Sequence, residues 1–115
     1  MSSLTVHIMD TAYKKAKGLQ HMKPIPEKEI WSFLDVREGQ VFHSQNVMEP
    51  FEIAFLDEAG NVLSLDTVVP QKATIAAPKG AAIAVESKDG ELSRIGFEVG
   101  RKVNVDLLRS EKKSS

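Results

Sequence analysis

Cysteine is absent from this chain. That one absence removes disulfides, thiolate metal centres and cysteine nucleophiles together. An excess of charge is missing too: 15 Lys and Arg stand against 16 Asp and Glu, a formal net charge of -1, so no field is present to hold a polyanion. Nucleic acid is therefore not an expected partner. No run approaches the roughly 18 apolar residues that cross a bilayer. The most apolar stretch, Ala73 to Val85, is broken by Pro78, Lys79 and Gly80, and no membrane contact is expected. The opening residues MSSLTVHIMD hold neither the basic segment nor the apolar core of a secretory leader, so the expected location is the cytoplasm.

What is present is globular in composition, with 115 residues of which 42 % are hydrophobic and 27 % charged. A chain of this length supports one core and not two. Residues 1–108 are expected to form a single β-rich domain, and 109–115 (RSEKKSS) a polar tail, solvated unless contacts with a partner hold it.

Leu4, Val6 and Ile8 alternate with Thr5, His7 and Met9, the period of a half-buried strand. Asp10 or Thr11 can cap a short helix over residues 11–18, with Ala12, Ala16 and Leu19 toward the sheet and Gly18 closing it in the left-handed conformation. Pro24 and Pro26 forbid more helix and deliver an extended Ile30–Val36. Further extended runs are predicted at Val41–Val47, Phe51–Asp57, Val62–Val69, Ala82–Glu86 and Lys102–Leu107, with a short edge segment at Thr74–Ala76 and a helical turn at Glu91–Ile95. Between two apolar runs, Asp57-Glu58-Ala59-Gly60-Asn61 reads as a hairpin, because Gly60 and Asn61 tolerate the positive φ such turns need. The fold class is mainly β (α+β), a compact antiparallel sheet or barrel-like domain with one short N-terminal helix. Ile53, Phe55, Val62, Leu65, Ile83, Val85, Val103 and Val105 are the expected core, joined by Trp31 and Phe33. Gly18, Pro50, Gly60, Gly96 and Gly100 are assigned structural roles.

Few residues point to chemistry. His7, His21 and His43 lie 14 and 22 positions apart, outside the short spacings of a zinc site. No serine stands in a Gly-x-Ser-x-Gly elbow, and Gly96-x-x-x-Gly100 lacks the Lys-Ser/Thr of a phosphate loop. No metal and no cofactor is expected. The densest run of hydrogen-bonding groups is His43-Ser44-Gln45-Asn46 with Glu49 and Glu52. Within it Asn46 and Pro50 are read as shaping the backbone, because Asn tolerates the left-handed region and Pro fixes the entry into the next strand.

Taken in order, Asp10-Thr11 with Lys17-Gly18-Leu19, then Phe42 to Asp57, then Val85-Glu86, then Gly96-Phe97-Glu98-Val99-Gly100-Arg101-Lys102-Val103 resemble the bacterial and archaeal family called domain of unknown function 192. The resemblance covers about 100 residues. Asn46, Pro50, Leu56 and Asp57 match the family's middle block, and Glu52 stands where an Asp is usual. The chain departs at Lys17 (usually Arg), Gln20 (often Met) and His43-Ser44 (usually Trp-Met), which implies a different and more polar pocket if those groups line one. The resemblance implies a small, mainly β domain with one helix and no particular chemistry.

Two functional classes follow. The first is a non-catalytic binding or assembly module that docks a protein partner or further copies of itself, including as a structural subunit of a larger particle such as a virion. The second is a small-ligand-binding protein or hydrolase-type enzyme with a polar site at His43, Gln45, Asn46, Glu49 and Glu52, joined in space by Asp66, Glu86 or Arg101. Convergence of His43, Asn46 and Glu52 in one concavity would favour the second.

Overall fold

The computed structural model describes residues 4–70 and 74–111. Its elements run β1 (Thr5–Ile8), α1 (Ala12–Lys17), β2 (Glu29–Phe33), β3 (Val41–His43), β4 (Phe51–Leu56), β5 (Val62–Val68), β6 (Thr74–Ala76), β7 (Ile83–Lys88), α2 (Glu91–Arg94) and α3 (Val105–Leu108). Five strands form an open sheet in the order β1-β2-β7-β4-β5, and β3 pairs with β6 in a separate two-stranded sheet. The fold is mainly β, as expected, but the large sheet is mixed. β1 runs parallel to β2, while β2–β7, β7–β4 and β4–β5 are antiparallel.

Both faces of this sheet are covered, which explains why all six residues of β4 are buried. On one face Trp31, Phe33, Phe51, Ile53 and Phe55 pack under Leu19, Ile25, Phe42 and Val47. On the other, Ile30, Ala54, Leu56, Ile83 and Val85 pack under Leu92, Phe97 and Leu108. Register makes Trp31, Glu86 and Ile53 cross-strand neighbours, so they share the first face.

The hairpin at Asp57–Asn61 forms through its own side chains. Asp57 Oδ1 accepts from Asn61 N at 2.8 Å and Oδ2 from Asn61 Nδ2 at 2.9 Å, which holds the Asp57 carboxyl below its usual range. Gly60 has φ +99° and is buried, and a Cβ there would lie 2.2 Å from the carbonyl oxygen of Val103. Only glycine lets the C-terminal segment cross so close. Gly18, Gly96 and Gly100 also have positive φ, and Pro50 is exposed just before β4.

Four expectations need correction. Helix α1 forms where predicted, capped by the Thr11 side chain and closed at Gly18, but Ala12 and Ala16 are exposed and no residue of the helix is buried. Leu19, past its end, makes the contact with the core. The strand expected over Val41–Val47 stops at His43, because Asn46 has φ +62° and Val47 N bonds Ser44 O across a turn. The last strand is also absent. Lys102 makes one isolated bridge to Asn61, and Asn104 then caps α3 by accepting from Asp106 N at 3.0 Å. Val103 and Val105 are consequently half-buried rather than core, as is Leu65. Among the described residues the short helices are thus α1, α2 at the expected helical turn, and α3 in place of the last strand. No helix among the described residues is long and apolar enough to cross a membrane.

Candidate functional site

Strand β3 crosses over the first face of the sheet and meets the end of α1. Between them lies a cavity of about 110 Å³. One side is α1 and the turn after it, from Lys15 to Gln20; the other is Gln40 to His43 with Val47. Phe33 and Phe42, edge to face at 5.3 Å, supply the aromatic wall. The sheet contributes one polar group, Glu86 of β7.

Glu86 is 5 % exposed. Among the described residues no donor bonds it and no cation pairs with it, whereas the other buried acids, Glu52 and Glu91, are hydrogen-bonded. Burial without compensation pushes its carboxyl up to about 8, so it is protonated at neutral pH and offers both an O–H donor and a carbonyl acceptor. Gly18 lies next to it: a Cβ there would stand 3.5 Å from Glu86 Oε1 and 3.7 Å from the Phe33 ring.

The residues predicted as a site do not come together. His43 lines the cavity and is exposed at its rim. Gln45 and Asn46 are exposed in the turn that follows, and the Asn46 carbonyl accepts from His21 N at 2.8 Å. Glu49 points toward another loop, where its Oε1 accepts from Ile25 N at 2.9 Å and lies 3.5 Å from Lys88 Nζ. Glu52 is buried on the opposite face of the sheet. Its carboxylate accepts from Leu92 N at 2.8 Å, Ser93 N at 3.3 Å and Ser93 Oγ at 2.7 Å, anchoring the turn of α2. His43, Asn46 and Glu52 therefore share no concavity. Of the three residues considered as joining them, Glu86 meets His43 at the cavity, Asp66 is exposed on β5, and Arg101 lies 3.9 Å from Glu98. Among the described residues no group of three or more His, Asp or Glu is placed to hold a metal ion.

Lys17, Gln20 and His43 all line this cavity. Its rim is polar in consequence. A neighbouring hollow of about 130 Å³ shares Lys17 and Gly18 and is walled by Trp31, on which His7 stacks at 5.0 Å while bonding Glu29 at 2.6 Å.

The left-handed backbone of Asn46 carries its own expectation. Asn46→Ala should lower thermal stability by about 1–2 kcal/mol, the usual cost of that region for a residue with a plain Cβ, whereas Asn46→Gly should stay close to the parent. Equal melting temperatures for the Ala and Gly variants would count against a backbone role.

Fold and site together define a small mainly β domain with an open mixed sheet and a polar-rimmed cavity on one face. The chain belongs to the family DUF192, described as "Uncharacterized ACR, COG1430", whose model matches residues 1–105. Two solved structures share the fold. A protein of unknown function from Novosphingobium aromaticivorans DSM 12444 is 24 % identical with a TM-score of 0.75, covering 86 % of this chain and 73 % of its own. A protein from Sinorhizobium meliloti 1021, named a "putative transcription regulator", is 20 % identical with a TM-score of 0.76, covering 86 % of this chain and 79 % of its own. No curated protein matches the sequence.

Proposed function

We propose that this chain is a binding domain for a small organic molecule, held in the cavity between α1 and β3. The observation that carries the reading is Glu86: a buried carboxyl without a hydrogen-bond partner among the described residues, facing an open cavity. A carboxyl held out of bulk water costs about 1–3 kcal/mol where nothing answers it, and a ligand that supplies the missing bond offsets that cost. The apolar walls from Phe33, Phe42 and Val47 add the burial that small-molecule sites use, and the polar rim adds selectivity. Binding is preferred to assembly for a second reason. The assembly reading draws on the tail from Arg109, yet Glu111 Oε1 accepts from Ile8 N at 3.2 Å and lies 3.9 Å from Lys14 Nζ, committing that side chain to its own domain. The rest of the tail, residues 112–115, lies outside the described residues.

Ala16 lines the cavity from an exposed helix position, so Ala16→Phe should fill the space without disturbing the core. In a fragment screen followed by amide chemical shifts, binders should perturb the Lys17–Gln20, Gln40–His43 and Glu86 amides of the parent, and the Phe variant should lose them. Perturbations scattered over the surface, or unaffected by the Phe side chain, would reject the site.

A further inference from the structure

The lining of the cavity is unevenly charged. Lys15 and Lys17 border it from α1, and neither has a carboxylate within ion-pair distance among the described residues. His43 stands across from them on β3. No anion balances these groups from inside, since Glu86, the only acid on the lining, is in an apolar setting that keeps its proton. A positive rim over a neutral interior attracts an anion and disfavours a cation.

Glu86 narrows the choice. A protonated carboxyl both donates and accepts, and a hydroxyl is the smallest neutral group that answers both ways. Phe33, Phe42 and Val47 lie along the cavity wall, so what joins the two polar ends is hydrocarbon. We propose that the ligand is a small hydroxycarboxylate, its carboxylate at Lys15 and Lys17, its carbon skeleton against Phe33 and Phe42, and its hydroxyl on Glu86. The proposal rests on the ligand-binding reading above and names the chemical class that the same site takes.

Four molecules of matched size test it by amide-shift titration of the full chain: 3-hydroxybutyrate, butyrate, 1,3-butanediol and 4-amino-2-butanol. The hydroxy acid should bind most tightly. Loss of either polar end should weaken binding about tenfold, the effect of leaving a site's hydrogen-bonding group unanswered. Exchanging Lys15 and Lys17 for Gln should weaken the hydroxy acid and leave the diol unchanged. Glu86→Gln, which keeps a donor and an acceptor, should retain binding, whereas Glu86→Leu should lose the preference for 3-hydroxybutyrate over butyrate.

Raising the pH through about 8 should weaken the hydroxy acid in the parent but not in the Gln variant. That comparison separates Glu86 from His43, Lys15 and Lys17, the other titratable groups on the lining. Tighter binding of the amino alcohol than of the hydroxy acid overturns the ligand class and leaves the cavity reading standing. Absence of cavity shifts with all four probes also overturns the class. The cavity reading itself falls only with the fragment screen and Ala16→Phe.

Discussion

Phe55→Glu is expected to abolish the cooperative unfolding transition. Phe55 has no exposed surface, sits on an inner strand of the sheet between Ala84 and Ser64, and meets the Phe42 ring at 5.4 Å. Removing a buried aromatic from a packed core costs about 3–5 kcal/mol by itself. The incoming carboxyl adds a buried polar group without a partner, about 1–3 kcal/mol more even when it takes up a proton to avoid the charge. A domain of this size has about 5–15 kcal/mol in all. Phe55→Leu, which keeps an apolar group there, should still unfold cooperatively at lower denaturant. Circular dichroism against urea separates the two outcomes, and a Glu variant melting within a few degrees of the parent would show that the site is less enclosed than its burial implies.

Glu86 on the same face makes that comparison instructive, because the fold already carries one buried acid there. The difference is surroundings. Glu86 borders a cavity that can admit water or a ligand, whereas Phe55 is enclosed by the rings and strands it packs against. One uncompensated carboxyl at a cavity has room for a partner; a second in the packed interior has none.

Residues whose roles are local were legible in the sequence. Asp57 to Asn61 closes its hairpin with bonds among its own members, and Thr11 and Gly18 bound α1, so short-range turn and cap chemistry was enough. Alternation was less reliable. Val103, Val105 and Leu107 keep a period of two, yet the Asn104 cap starts a helical turn inside it. Nor does alternation reveal a strand's partner, which is why the parallel pairing of β1 with β2 was not foreseen. The expected site residues are dispersed for a geometric reason. Glu49 and Glu52 follow His43 closely in the chain, but the turn at Asn46 and the double-sided burial of β4 send them to another loop and to the other face. Glu86, more than forty positions after His43, meets it at the cavity only because β3 passes over the sheet. No spacing signal marks such a pair, and its one trace was an acid among the apolar residues of a strand.

Glu86→Gln should raise stability at alkaline pH and remove most of the decline in stability between about pH 4.5 and 8. The Glu86 carboxyl titrates near 4.5 when unfolded and at about 8 in the fold. Below 4.5 both states hold the proton and the residue adds no pH-dependent cost. Between those limits the native state binds more protons than the unfolded one, so stability falls as pH rises, and above 8 the loss is complete. Each pH unit inside that window removes about 1.4 kcal/mol, so the parent should lose a few kcal/mol across it. Gln carries no titrating proton and should show no such slope. Glu91 and Asp57 act in another window, because hydrogen bonds from Arg94 and from Asn61 lower their carboxyls. Their stabilisation is present above the ordinary carboxylate range and is lost as pH falls through it, in parent and variant alike. Urea unfolding at a series of pH values should give curves that lie close together near pH 4.5 and diverge steadily toward 9, the variant above the parent. Parallel curves would mean that Glu86 finds a compensating partner in the folded protein, and the case for an unfilled binding group would end there.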